Sequence, residues 1–130
     1  MKLRIRGNSI RLRLLQGEVA TLGELGKVEE TTRMGPATSD VLTYALCTHD
    51  NEDDVRVQWK SGDLQVSIQQ ALAQEFCNTN QVSIASTLSF SDAMLNVLIE
   101  KDFRCLTDRP GEDESDNFEN PQEKHECAPK

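Results

Sequence analysis

Lys2, Arg4, Arg6, Arg11 and Arg13 fall within thirteen residues, with no acidic residue among them. Leu3, Ile5, Ile10, Leu12 and Leu14 fill the alternate positions. A period of two sends successive side chains to opposite faces of a strand, so the five cations share one face and the apolar residues the other. Guanidinium forks suit phosphate and carboxylate oxygens, and a row of them suits a polyanion, where each phosphate contact releases a condensed counterion. The plainer alternative is a solvated face balanced by Glu29 and Glu30 on a neighbouring strand, since exposed ion pairs contribute little.

Other reactive residues are sparse. Cys47, Cys77, Cys105 and Cys127 are widely spaced, without a CxxC pair, and are expected to be ordinary thiols. Cys47-Thr48-His49 and His125-Glu126-Cys127 each set a thiol two residues from an imidazole, but without the tight turn-borne pairs of a structural zinc site. The acidic run Asp50, Glu52, Asp53 and Asp54 lacks the central glycine and terminal glutamate of a calcium loop and reads as solvated. No nucleophile and base pattern and no phosphate-binding glycine loop stands out, so no catalytic residue, metal or cofactor is expected, and the chain reads as non-enzymatic.

The elements that must position the cations repeat. Residues 1–32 lie over residues 55–86 without a gap, pairing Leu3 with Val57, Ile5 with Trp59, Leu12 with Val66 and Leu14 with Ile68. Gly7-Asn8-Ser9 lies over Ser61-Gly62-Asp63, so each copy opens with a hairpin. A two-turn helix follows in each, ended at Gly26 and at its counterpart Asn80 by a left-handed residue. Strands are expected over residues 27–33 and 81–88, with Val28 over Val82, and then over residues 40–46 and 92–98. This predicts a β-rich α+β domain over residues 1–106, a compact barrel or sandwich of two hairpin-helix-strand-strand units (residues 1–50 and 55–102) related by a pseudo-two-fold. Trp59, equivalent to Ile5, is expected in the core. The repeat supplies both halves, which is compatible with a monomer and leaves the oligomeric state open.

The segment RGNSIRLRLLQGEVATLGELGKVE, residues 6–29, resembles the swapped-hairpin DNA-binding domains of the AbrB and MazE type, and residues 55–86 do so more faintly. The resemblance implies a barrel of interleaved hairpins and DNA contacts from Arg6, Arg11 and Arg13, with Asn8 and Ser9 at the turn. The usual Ile-Pro before the helix is replaced by Leu14-Leu15, and the second copy carries Arg56, Gln58, Lys60, Gln65 and Ser67 in place of the five cations. Over nearly its whole length the chain is also similar to a family of small bacterial proteins of unknown function, sharing the MKLRIRGNSIRLRL opening, VEETTRMG, and KDFRCL with RPGEDESDNF near the end.

The formal charge of −8 for 130 residues is unevenly spread. Most of it belongs to residues 107–130, an acidic, proline-containing segment expected to be a disordered tail. Its run Glu112-Asp113-Glu114-Ser115-Asp116 is a candidate internal pseudo-ligand for the basic hairpin. The acidic balance therefore does not exclude a polyanionic partner. DNA or another polyanion on Lys2, Arg4, Arg6, Asn8, Ser9, Arg11 and Arg13 is the expected partner, with a protein-interaction or structural role as the alternative. No apolar run reaches the roughly 18 residues of a membrane span, and the opening lacks a signal peptide's apolar stretch, so a cytoplasmic location and no membrane partner are expected.

Overall fold

Alternating apolar residues and two-residue turns generate the strands. The computed structural model describes residues 1–103 and residue 118. β1 (Lys2–Arg6) and β2 (Ser9–Leu14) form the first hairpin, followed by α1 (Gln16–Leu25), β3 (Lys27–Arg33) and β4 (Val41–His49). β5 (Val55–Lys60), β6 (Asp63–Gln69), α2 (Gln70–Asn78), β7 (Ser83–Ser89) and β8 (Met94–Lys101) repeat that order. In the second hairpin, Ser61 and Gly62 both take positive φ, 44° and 82°. A Cβ at Gly62 would come within 2.8 Å of the Val41 carbonyl oxygen, so glycine is required there for space as well as for φ.

The strands form two four-stranded sheets, ordered β1-β2-β8-β7 and β3-β4-β6-β5. Each combines one opening hairpin with the closing strand pair of the other half of the chain. The join is parallel in both: Ser9 to Leu14 lie beside Asn96 to Lys101, and Thr43 to His49 beside Asp63 to Gln69. This arrangement is compatible with a duplicated unit. The sheets do not close into the barrel that was one expectation, because the inner strands' hydrogen bonds are used within each sheet and the outer strands β1, β7, β3 and β5 end as edges.

One apolar cluster joins both sheets and both helices. Leu12, Leu14, Leu22, Leu46, Val66, Ile68, Phe76 and Ile99 are almost wholly excluded from solvent, and no polar residue is buried among the described residues. Among them no helix is long and apolar enough to cross a membrane.

Three details of the repeat differ from expectation. Register pairs Val28 with Leu46 and Ile84 with Ile99, so the counterpart of Val28 is Ile84; Val82 is exposed. The ungapped correspondence therefore ends at the helices, and two extra residues precede β7. Gly26 closes α1 at φ 77° and donates to the Leu22 carbonyl, but α2 ends on an extended Thr79 whose N–H and hydroxyl both bond Glu75 O, and Asn80 plays no such part. Trp59 is 64% exposed, as Ile5 is at 63%. Both face inward, but on edge strands beside the hairpin turn, where one strand alone flanks them.

α1 begins after Leu15, which offers no side-chain cap, so Glu18 reaches back and accepts the Leu15 N–H at 2.8 Å. The same carboxylate, with Glu30, holds the Met1 α-ammonium, whose carbonyl accepts the Tyr44 hydroxyl at 3.0 Å. Burial opposes the ammonium's charge, but its bonds to Glu18 and Glu30 outweigh this and raise its pKa above the usual α-amino range. For Glu18, burial likewise works against charge, yet the ammonium and the Leu15 N–H hold the carboxyl below the usual range.

Phe76→Ala should cost about 3–5 kcal/mol, read as a lowered urea midpoint, because it leaves a cavity in the apolar cluster where α2 packs on β4 and β6. The Met1–Glu18 pair contributes fully between about pH 5 and pH 7.5, is lost as pH falls through the depressed Glu18 value, and is lost as pH rises through the elevated ammonium value. Glu18→Gln should therefore cost about 1 kcal/mol within that window and progressively less on either side; an equal gap from the parent at pH 3 and pH 6 would contradict the assignment.

Candidate anion-binding face

Because Ile10, Leu12 and Leu14 are buried, Ser9, Arg11 and Arg13 must lie on the outer face of the first sheet. Antiparallel register sets Lys2 directly opposite Arg13, Arg4 opposite Arg11, and Arg6 opposite Ser9. Residues two apart on a strand are spaced about 6.8 Å, and neighbouring strands lie about 4.8 Å apart. The five cations thus occupy a ladder two strands wide and three rungs long. Directly opposed like charges destabilise a sheet by some tenths of a kcal/mol each, and the hairpin carries two such rungs.

The adjoining strand continues each rung. Asn96, Leu98 and Glu100 of β8 stand beside Ser9, Arg11 and Arg13. Glu100 is the carboxylate of this face among the described strands. Its Oε1 lies 3.1 Å from Arg13 Nε and its Oε2 3.6 Å from Arg11 Nε, and the three side chains are largely shielded from solvent. Past the end of β8, Asp102 pairs with Lys2 Nζ at 3.1 Å. Arg4 also has an interaction partner, whereas Arg6 has none among the described residues.

The expected counterions lie elsewhere. Glu29 and Glu30 belong to the other sheet, where Glu29 is 3.5 Å from Lys27 Nζ and Glu30 holds the Met1 ammonium. Asn8 is committed to the fold: its side-chain amide donates to Met94 O at 2.7 Å, and its carbonyl accepts the Asn96 N–H at 3.0 Å. Ser9 joins the face beside Asn96.

The corresponding face of the second sheet mixes the two signs. Arg56, Lys60, Lys27 and Arg33 are accompanied by Asp63 and Glu29, Arg56 lies 3.7 Å from Asp53, Arg33 donates to the Gly35 and Pro36 carbonyls, and Gln58 is paired with Gln65. His49 stands on this side. Its Nε2 is 2.6 Å from the Asp53 carbonyl, which only accepts, so Nε2 carries the proton and Nδ1 accepts the Ser67 hydroxyl at 2.9 Å. The imidazole thereby fixes the β4–β5 connection. Cys47 Sγ is 3.0 Å from Gln65 Nε2, and no group of three potential metal ligands occurs among the described residues.

A cleft of about 1220 Å³ separates α1 from α2 and is lined by Leu14, Val19, Cys77, Lys101 and Phe103 among others. Its lysine and its thiol are engaged internally. Lys101 Nζ donates to Thr79 O at 2.9 Å and sits 5.0 Å from the Phe76 ring centroid, and the Cys77 thiol donates to Val19 O. Burial pushes the Cys77 thiol up, against the pull of Lys101, so it stays protonated at neutral pH.

Sequence reasoning found all five cations and missed Glu100. Nothing local to residues 2–13 signals it, because the β2–β8 pairing spans 87 residues. The acidic run at residues 112–116 and, Phe118 apart, the tail that carries it lie outside the described residues.

The chain belongs to a family of unknown function, DUF7009, whose model matches residues 1–122. No curated protein and no solved structure matches it.

Asn8→Ala removes the tie between the first turn and the start of β8. It should cost about 1 kcal/mol, seen as a lower thermal midpoint, and an unchanged midpoint would refute that role.

Proposed function

We propose that this is a non-enzymatic, cytoplasmic binding protein whose first hairpin contacts the phosphates of a nucleic acid. The observation that carries the reading is the pair of cation rungs, Lys2 opposite Arg13 and Arg4 opposite Arg11, on a face holding five cations against Glu100 and, past the end of β8, Asp102. An outer face needed only for solubility has no reason to oppose like charges twice. The second sheet, with the same strand order, sets Arg56 opposite Ser67 and Gln58 opposite Gln65 instead. The resemblance of residues 6–29 to AbrB-type hairpins supports nucleic acid over other polyanions.

The face carries no aromatic side chain on which a base could stack. Asn8 donates its amide to Met94 O, and the Asn96 amide oxygen accepts the Thr87 hydroxyl. Recognition on these terms is of backbone phosphate, with little dependence on sequence. A second reading, a protein-interaction domain whose hairpin is covered by its own residues 112–116, rests on charge complementarity in the sequence alone.

Binding of a labelled mixed-sequence duplex should weaken with salt along a log–log slope of about −3 to −4.5. Arg4→Ala with Arg11→Ala should lower affinity at low salt about ten- to thirtyfold and flatten the slope by about 2. Equal affinity in the double variant and the parent would remove the hairpin from the interface.

A further inference from the structure

Building on the phosphate-binding reading, we propose that Glu100 is the built-in anion of the basic face and holds, between Arg11 and Arg13, the place that a backbone phosphate takes when nucleic acid binds. Its two carboxylate oxygens are divided between the two arginines, one at 3.1 Å from Arg13 Nε and one at 3.6 Å from Arg11 Nε. Two oxygens of one phosphate can span two guanidinium groups in the same way. Glu100 reaches this position because β8 runs parallel to β2 with Glu100 beside Arg13.

The second sheet supplies an internal comparison. There Ser67 has the place of Arg13 on the inner hairpin strand, and the residue beside it on β4 is Cys47. Where Gln65 and Ser67 replace Arg11 and Arg13, the carboxylate between them is missing too. Glu100 therefore accompanies the cluster and is not a general requirement of this sheet.

A tethered carboxylate competes at a high effective concentration, and partial burial protects its pairing from salt screening. A single phosphate, gaining only the Arg11–Arg13 position, displaces it poorly. A chain of phosphodiesters that also engages Lys2, Arg4 and Arg6 along β1 offsets the loss of Glu100 over several contacts. Glu100 thus selects a polymer of phosphodiesters over free nucleotides or inorganic phosphate.

The test compares the full-length chain with Glu100→Gln and Glu100→Thr, the latter a strand-favouring neutral residue, using a fluorescein-labelled 20-mer of mixed sequence at fixed low salt. Both variants should bind about three- to tenfold more tightly than the parent, with the salt slope unchanged, because the phosphate takes the same place in each complex. Glu52→Gln in the β4–β5 connection makes the same change in net charge and should leave affinity unaltered. Unfolding cannot mimic a gain of this kind. If the parent binds with the expected salt dependence and neither variant binds more tightly, or if Glu52→Gln gives the same gain, the role of Glu100 is refuted and the phosphate reading stands. If neither parent nor variants bind, both fall.

Discussion

The parallel pairing of β2 with β8 is the constraint on which the rest of the molecule depends. It joins the first hairpin to the last strand pair, and the β6–β4 pairing makes the equivalent join in the other sheet. Neither half of the chain can complete a sheet alone, so the apolar cluster assembles only when both halves are in place. Parallel strands also need a crossover connection: β2 and β8 are separated by a stretch that holds both helices and five strands, whereas β4 reaches β6 through residues 50–62, which hold β5 alone. The same pairing determines what the cations face. Leu12 beside Ile99 registers the core, and one residue further Arg13 beside Glu100 registers the charge.

Polar groups are handled in two ways. At the margin of the core, the Met1 ammonium pairs with Glu18 and Glu30 while the Met1 carbonyl accepts the Tyr44 hydroxyl, and a carboxylate shared between a helix start and an ammonium compensates for Leu15 as a poor cap. Outside, like charges are held together by sheet register against their repulsion. The second sheet keeps the geometry without the opposed cations, and this difference separates a requirement of the fold from a feature of the face.

Much of the fold was legible because period-two alternation and turn residues are local signals. The hairpins, both helices and the order of elements follow from them. The pairing of distant strands does not, since nothing in residues 9–14 marks residues 96–101 as their neighbours, and with that pairing Glu100 stayed hidden. The gapless repeat misled at Val82 and Asn80 because two apolar or turn-forming residues match by type while the chain between α2 and β7 is two residues longer. Trp59 misled for a different reason: alternation gives the face a side chain points to, not whether anything covers that face at a sheet edge. The cations were legible as a face, and the role of Asn8 was not, because its partner Met94 O is 86 residues away.

The central claim, that the outer face of β1 and β2 is where phosphates sit, is tested most directly by adding an unlabelled oligonucleotide to isotopically labelled protein and following amide resonances. The account predicts salt-sensitive shifts at Lys2 to Arg6, at Arg11 and Arg13, and at Glu100, with Arg56 to Lys60 and Gln65 to Ser67 of the second sheet unmoved. Shifts centred on the second sheet or on the cleft between the helices, or none at low salt, would contradict it.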